Sequence, residues 1–165
     1  MKRRLFLAAI PALLAAGCGF QLRRFDGVPF GSLYIDAPDD NAVGQRVRAM
    51  LATNHRTAIA PRPDEAEAVL KLGREERSKS ILSLSGAGRV TEYRLGIKLS
   101  YSVLGQARQT LAEPALIELY RDMTYDDTRI LAKAAEEQLL YRDMEENAAL
   151  QIVRRLQALK RPGSP

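Results

Sequence analysis

One cysteine, one histidine and no tryptophan occur among the 165 residues of this chain. No disulfide can close within it, and no multi-histidine metal centre can be built. A serine triad would need His55, but no Gly-x-Ser-x-Gly elbow is present. His55 falls just past the end of a predicted helix and reads as a surface or C-capping residue. Gly86-Ala87-Gly88 lacks the lysine and helix start of a phosphate loop, so it reads as a turn. No aromatic-interleaved basic stretch marks a nucleic-acid binder. Nor does any apolar run reach the ~20 residues of a bilayer-spanning helix. These absences predict a protein that is not an enzyme, with no catalytic residue, no metal and no cofactor.

The first seventeen residues explain much of what is present. Lys2, Arg3 and Arg4 precede the apolar run Leu5 to Leu14, which Pro11 interrupts, and small residues Ala15, Ala16 and Gly17 follow. That order is the order of a cleaved signal peptide. A small-residue site ending at Cys18 resembles the bacterial lipobox, with Ala15 in place of the usual leucine and Leu14 one position earlier. The resemblance implies an S-diacylglycerol and an N-acyl group on Cys18, which also accounts for a lone thiol and leaves none for a Cys/His pair. Several acyl chains, at ~0.8 kcal/mol per buried methylene, hold a protein on a membrane durably. Gly19, where an aspartate would retain such a protein at the inner membrane, implies the outer membrane, periplasmic side. The leader holds three basic residues, so removing it lowers the formal charge from +5 to +2. The expected organisation is leader 1–17, acylated N-terminus and tether 18–30, one domain over 31–161, and a short tail 162–165.

Within that domain Leu33, Ile35 and Ala37 alternate with polar neighbours, predicting a strand that stops at Pro38. Asp39 or Asp40 can cap a helix through about Asn54, with Val43, Val47, Met50 and Leu51 on one face. Ala68, Leu70 and Leu72 predict a second strand, continued by a polar stretch from Arg74 to Ser80 at an edge or outside the core. Tyr93, Leu95, Ile97, Leu99, Tyr101 and Val103 make the third strand, with one buried and one wet face. Ser83 to Arg89 is its hairpin connection. A fourth strand covers about Ala115 to Tyr125, entered or bulged at Pro114. Asp126 or Asp127 then caps a long amphipathic helix ending near Pro162-Gly163. Its carboxylates Glu136, Glu137, Asp143, Glu145 and Glu146 read as a solvated face. The economical fold is α+β: a two-layer sandwich in the order β-α-β-β-β-α. Its four-stranded, mostly antiparallel sheet, mixed if the first two strands run parallel, carries two amphipathic helices on one face.

Basic residues concentrate at predicted element ends. Arg89 lies at the hairpin tip, and Arg129 and Lys133 are one turn apart at the start of the last helix. If tip and helix start share one end of the sandwich, they form a cluster suited to phosphate groups. The competing reading is ordinary solvation of element ends.

Four segments carry a family resemblance: Cys18-Gly19-Phe20-Gln21-Leu22-Arg23, Gly88-Arg89-Val90-Thr91-Glu92-Tyr93, Leu131-Ala132-Lys133 with Glu136-Glu137, and Gln151-Ile152-Val153-Arg154-Arg155-Leu156. In order and spacing the chain resembles the lipopolysaccharide-assembly lipoprotein family, LptE. The resemblance implies an outer-membrane lipoprotein that plugs the LptD β-barrel at one-to-one ratio, helps that barrel assemble, and helps deliver lipopolysaccharide to the cell surface. It implies lipopolysaccharide binding near Lys133, which lies in the matching segment, and near Arg89; Arg129 is added on predicted geometry. The wet strand face with Glu92, Arg94, Lys98 and Ser100 would then meet a polar barrel interior. A lipoprotein scaffolding some other envelope complex shares the same sequence features.

Overall fold

A curled, mixed six-stranded sheet carries two helices on one face. In this computed structural model residues 28–53 and 56–159 are described. The leader, Cys18 and His55 lie outside the described residues. In chain order the elements are β1 (Ser32–Asp36), α1 (Ala42–Ala52), β2 (Ala58–Ile59), β3 (Ala68–Leu72), β4 (Glu76–Leu84), β5 (Val90–Gly105), β6 (Thr110–Thr124) and α2 (Ile130–Gln157). The expected α+β layering holds, but the strand count does not, since β2 and β4 join the four predicted strands.

Register explains the miscount. β3 pairs antiparallel with Tyr101–Gly105 of β5, and β4 with its earlier stretch, while β6 pairs along both stretches. Since β6 holds one edge of β5, β3 and β4 follow each other along the other. Between them the Gly73 amide donates to the Ser100 carbonyl at 2.8 Å. The polar stretch predicted at an edge is therefore a strand of that edge. β1 lies parallel to β3, and the two-residue β2 adds to β1 in parallel.

Capping also differs from expectation at one point. Asn41, not Asp39 or Asp40, caps α1: its Oδ1 accepts the Gly44 amide at 2.7 Å, and its amide nitrogen reaches the Gly73 carbonyl at 2.9 Å. At the second helix Asp126 caps a short 3-10 turn, Asp127–Arg129, that leads into α2.

The alternating face of β5 builds the core as its pattern dictates. Leu95, Ile97, Leu99 and Val103 are buried against Val43, Val47 and Leu51 of α1 and Met144, Ala148, Ile152 and Leu156 of α2. Full burial of each aliphatic side chain stabilises by about 2 kcal/mol before entropy. Val28 and Phe30, at the end of the expected tether, are buried in this core too. All the buried residues of α2 lie from Tyr141 onward, so its first ten residues run beside the sheet without a dry seam.

Candidate functional site

The hairpin between β4 and β5 closes through Ser85 N to Arg89 O at 2.7 Å and Gly88 N to Ser85 O at 2.9 Å. Gly88 has φ +76°, a left-handed turn position open to glycine, which agrees with the turn reading of this segment. The Tyr125 amide donates to the Thr91 carbonyl at 2.8 Å, and Arg89 Nη1 stands 3.9 Å from Asp127 Oδ2. Hairpin tip and helix start thus share one end of the molecule, the tip end, bringing Arg89, Arg129 and Lys133 to the same region.

That region is not purely basic. Lys133 Nζ donates to Thr124 Oγ1 at 3.1 Å and to Glu136 Oε2 at 2.8 Å, and its side chain is only 12% exposed. Asp126 accepts from the Thr128 side chain and amide, which holds its carboxyl below the usual carboxylate range. An incoming phosphate has to exchange with Asp127 or Glu136 for these cations, whereas Arg129 is exposed at the helix entry. Exposed aliphatics border the cluster: Leu84 beside the hairpin, and Ile130 and Leu131 beside Arg129. Cation and hydrocarbon therefore stand together, the complements of an amphiphile's phosphate and acyl chain.

The second surface is the sheet face away from the helices. Glu92, Arg94, Lys98 and Ser100 all lie on it, by the alternation that buries Leu95, Ile97 and Leu99 on the other side. Arg94 grips Asp122 across the β5–β6 pair, Nε to Oδ1 at 2.7 Å and Nη2 to Oδ2 at 2.9 Å. This pairing raises the guanidinium pKa and lowers that of Asp122. Lys98 faces Glu118 at 3.5 Å, and Glu92 accepts from Ser83 at 2.9 Å. Between the two ion pairs Tyr120 lies across Gly96, where an added Cβ would meet the ring at 3.0 Å and Ser78 Oγ at 2.6 Å. The result is a low, charge-compensated surface with Tyr120 and Leu116 exposed on it.

A third group was missed from sequence. Glu145, expected on the solvated face, has a side chain only 4% exposed. Its Oε2 takes Nε and Nη2 of Arg46 at 3.1 and 2.7 Å, and its Oε1 takes Nη2 of Arg77 at 2.6 Å. Its position beside Tyr141, Met144 and Ala148 in the apolar stripe was the available signal. Among the described residues no three His, Cys, Asp or Glu side chains gather as metal ligands.

A family described as lipopolysaccharide-assembly, LptE, matches residues 30–156, which includes both surfaces and both helices. The chain belongs to the LptE family. This is a non-enzymatic family, as the absence of a catalytic constellation in the sequence predicted. The LPS-assembly lipoprotein LptE of Pectobacterium atrosepticum is 27% identical over 161 residues, covering 94% of this chain and 86% of that one. That of Yersinia pestis is also 27% identical, covering 94% and 77%. Among solved structures, a lipoprotein B from Nitrosomonas europaea superposes with a TM-score of 0.74 at 35% identity, covering 85% of this chain and 91% of that one. The rare lipoprotein B from Shewanella oneidensis gives 0.66 at 29% identity, covering 76% and 92%. As an LptE lipoprotein of lipopolysaccharide assembly, the chain has two surfaces to account for.

Proposed function

We propose that this protein is anchored by lipid on Cys18 to the periplasmic side of the outer membrane, and that its α+β domain plugs an LptD-type β-barrel at one-to-one ratio. In this reading it helps the barrel assemble and helps deliver lipopolysaccharide. The observation that carries the reading is the charge-compensated sheet face. Arg94–Asp122 and Lys98–Glu118 compensate each other's charge across β5 and β6, so this face can enter the polar interior of a large barrel without stranding an unpaired arginine or lysine there. Glu92, Arg94, Lys98 and Ser100 are the residues assigned to the barrel. Purification of the full-length chain from its native membrane tests this: a β-barrel at equal stoichiometry supports the assignment, and a chain that arrives without one defeats it.

Lys133, Arg89 and Arg129 are assigned to lipopolysaccharide phosphate groups, with the exposed aliphatics of the tip end beside the acyl region. Lys133→Asp combined with Arg89→Asp is expected to weaken lipopolysaccharide binding while the barrel complex survives. Binding equal to wild type would show that these charges only solvate the tip.

A further inference from the structure

At the end of the molecule opposite the hairpin tip, the sheet face away from the helices holds a groove of about 560 Å³. Tyr34 of β1, Val69 of β3 and Leu104 of β5 are half-buried and form its apolar floor. The carboxylates along its rim are already engaged: Asp36 with Lys71 at 3.9 Å and Asp64 with Arg62 at 3.4 Å. Arg108, from the turn between β5 and β6, is exposed at the rim and forms no ion pair among the described residues. It also has φ +60°. The turn is closed by Gly105 N to Gln109 O and Arg108 N to Gly105 O, so the left-handed residue sits where glycine is the ordinary occupant. A long cationic side chain in that conformation is strained for an L-residue. Strain held at a groove's rim is a pointer to binding rather than to stability.

We propose that this groove docks an extended segment of the barrel partner that carries an aliphatic side chain and an adjacent carboxylate. The inference rests on the barrel reading above and adds a defined contact to it. The floor takes the aliphatic group, and Arg108 supplies a fork donor for the carboxylate. Charge complementarity selects an acidic segment, because Arg108 is the rim cation without an ion-pair partner among the described residues. The groove also opens on the same sheet face as Arg94 and Lys98, so one occupant can meet both.

The test uses the full-length lipoprotein in detergent, titrated against the purified barrel, with thermal melts in parallel. Arg108→Gly is expected to raise the melting temperature by about 3 °C, by relieving the left-handed strain. The same change is expected to weaken barrel affinity about tenfold, and Arg108→Glu further still. A gain in stability coupled to a loss in affinity is something a merely structural turn residue does not produce. If wild type binds the barrel and both variants bind equally well, the groove inference falls while the barrel reading stands. If wild type itself fails to bind, both fall. If the variants instead alter self-association in size-exclusion chromatography, the groove is a surface for a second copy and the inference is overturned.

Discussion

Glu145 is where three elements converge, since its two oxygens are claimed by Arg46 from α1 and Arg77 from β4. Removing one partner from a buried ion network leaves the others uncompensated, at about 3–5 kcal/mol for a fully dry site. Arg46 and Arg77 keep 30% and 50% of their side chains in contact with water, and Arg77 retains a second carboxylate, Glu75 at 2.9 Å, which together offset part of that cost. Glu145→Leu is therefore expected to lower unfolding stability by about 2 kcal/mol, read from denaturant titration. Asp122 yields a pH prediction of definite sign. Its pKa is depressed in the folded protein by Arg94, so its contribution is in place above the ordinary carboxylate value of ~3.9 and is lost as pH falls through the folded value. Asp122→Asn should flatten the stability curve in that acid window and lower it by a pH-independent amount near neutrality, where the Arg94 pair is lost; a steeper acid slope in the variant would contradict this. Neither residue could be placed from sequence. Asp122 gains meaning only from its register opposite Arg94, and Glu145 only from two arginines distant in the chain.

At the scale of elements, α2 has two characters. From Tyr141 it presents Met144, Ala148, Ile152 and Leu156 to the core, whereas Ile130, Leu131 and Leu139 are exposed. The upper half meets the sheet through polar links instead: Lys133 to Thr124, and Lys79 of β4 to Glu137. Lys79 also lies over the Tyr93 ring at 4.4 Å, and its bond to Glu137 raises its pKa. Amides of the first ten residues of α2 are expected to exchange hydrogen well before those of the last sixteen. Uniform protection along the helix would contradict this picture. The same polar seam explains why β4 was hard to read. Its helix-facing positions are Arg77 and Lys79, because α2 offers Glu145 and Glu137 there, so the period-two apolar signal that exposed β5 is missing. β2 is two residues long and has no pattern to detect. By contrast β1, β3, β5, β6 from Ala115, α1 and the later half of α2 carry their periodicity openly, since each has one dry face.

Taken whole, the molecule is dry toward the end where Val28 enters and polar toward the hairpin tip. The sequence left open whether Arg89, Arg129 and Lys133 share one end; the antiparallel pairing of β5 with β6, Glu92 opposite Thr124, carries the start of α2 back to the hairpin tip. The pairing of Arg89 with Asp127 did not follow from spacing in the chain, since side-chain pairing across elements depends on packing, whereas Lys133 and Glu136 are an i,i+3 pair within α2. A salt-dependence measurement checks the consequence. If lipopolysaccharide phosphate groups exchange with internal carboxylates, binding should weaken as ionic strength rises from low to physiological. Salt-independent binding would point to the aliphatics Ile130 and Leu131 instead.

The Arg46–Glu145–Arg77 contact also sets an order of events. Glu145 lies 99 residues from Arg46 and 68 from Arg77 in the chain. A polypeptide that emerges N-terminus first delivers α1 and β4 long before the helix that neutralises them. Until α2 arrives, Arg46 and Arg77 lack their common carboxylate, and the core face of β5 lacks half its cover. The domain therefore closes last at its final helix, and truncation before Glu145 is expected to leave not a smaller domain but an unfinished one.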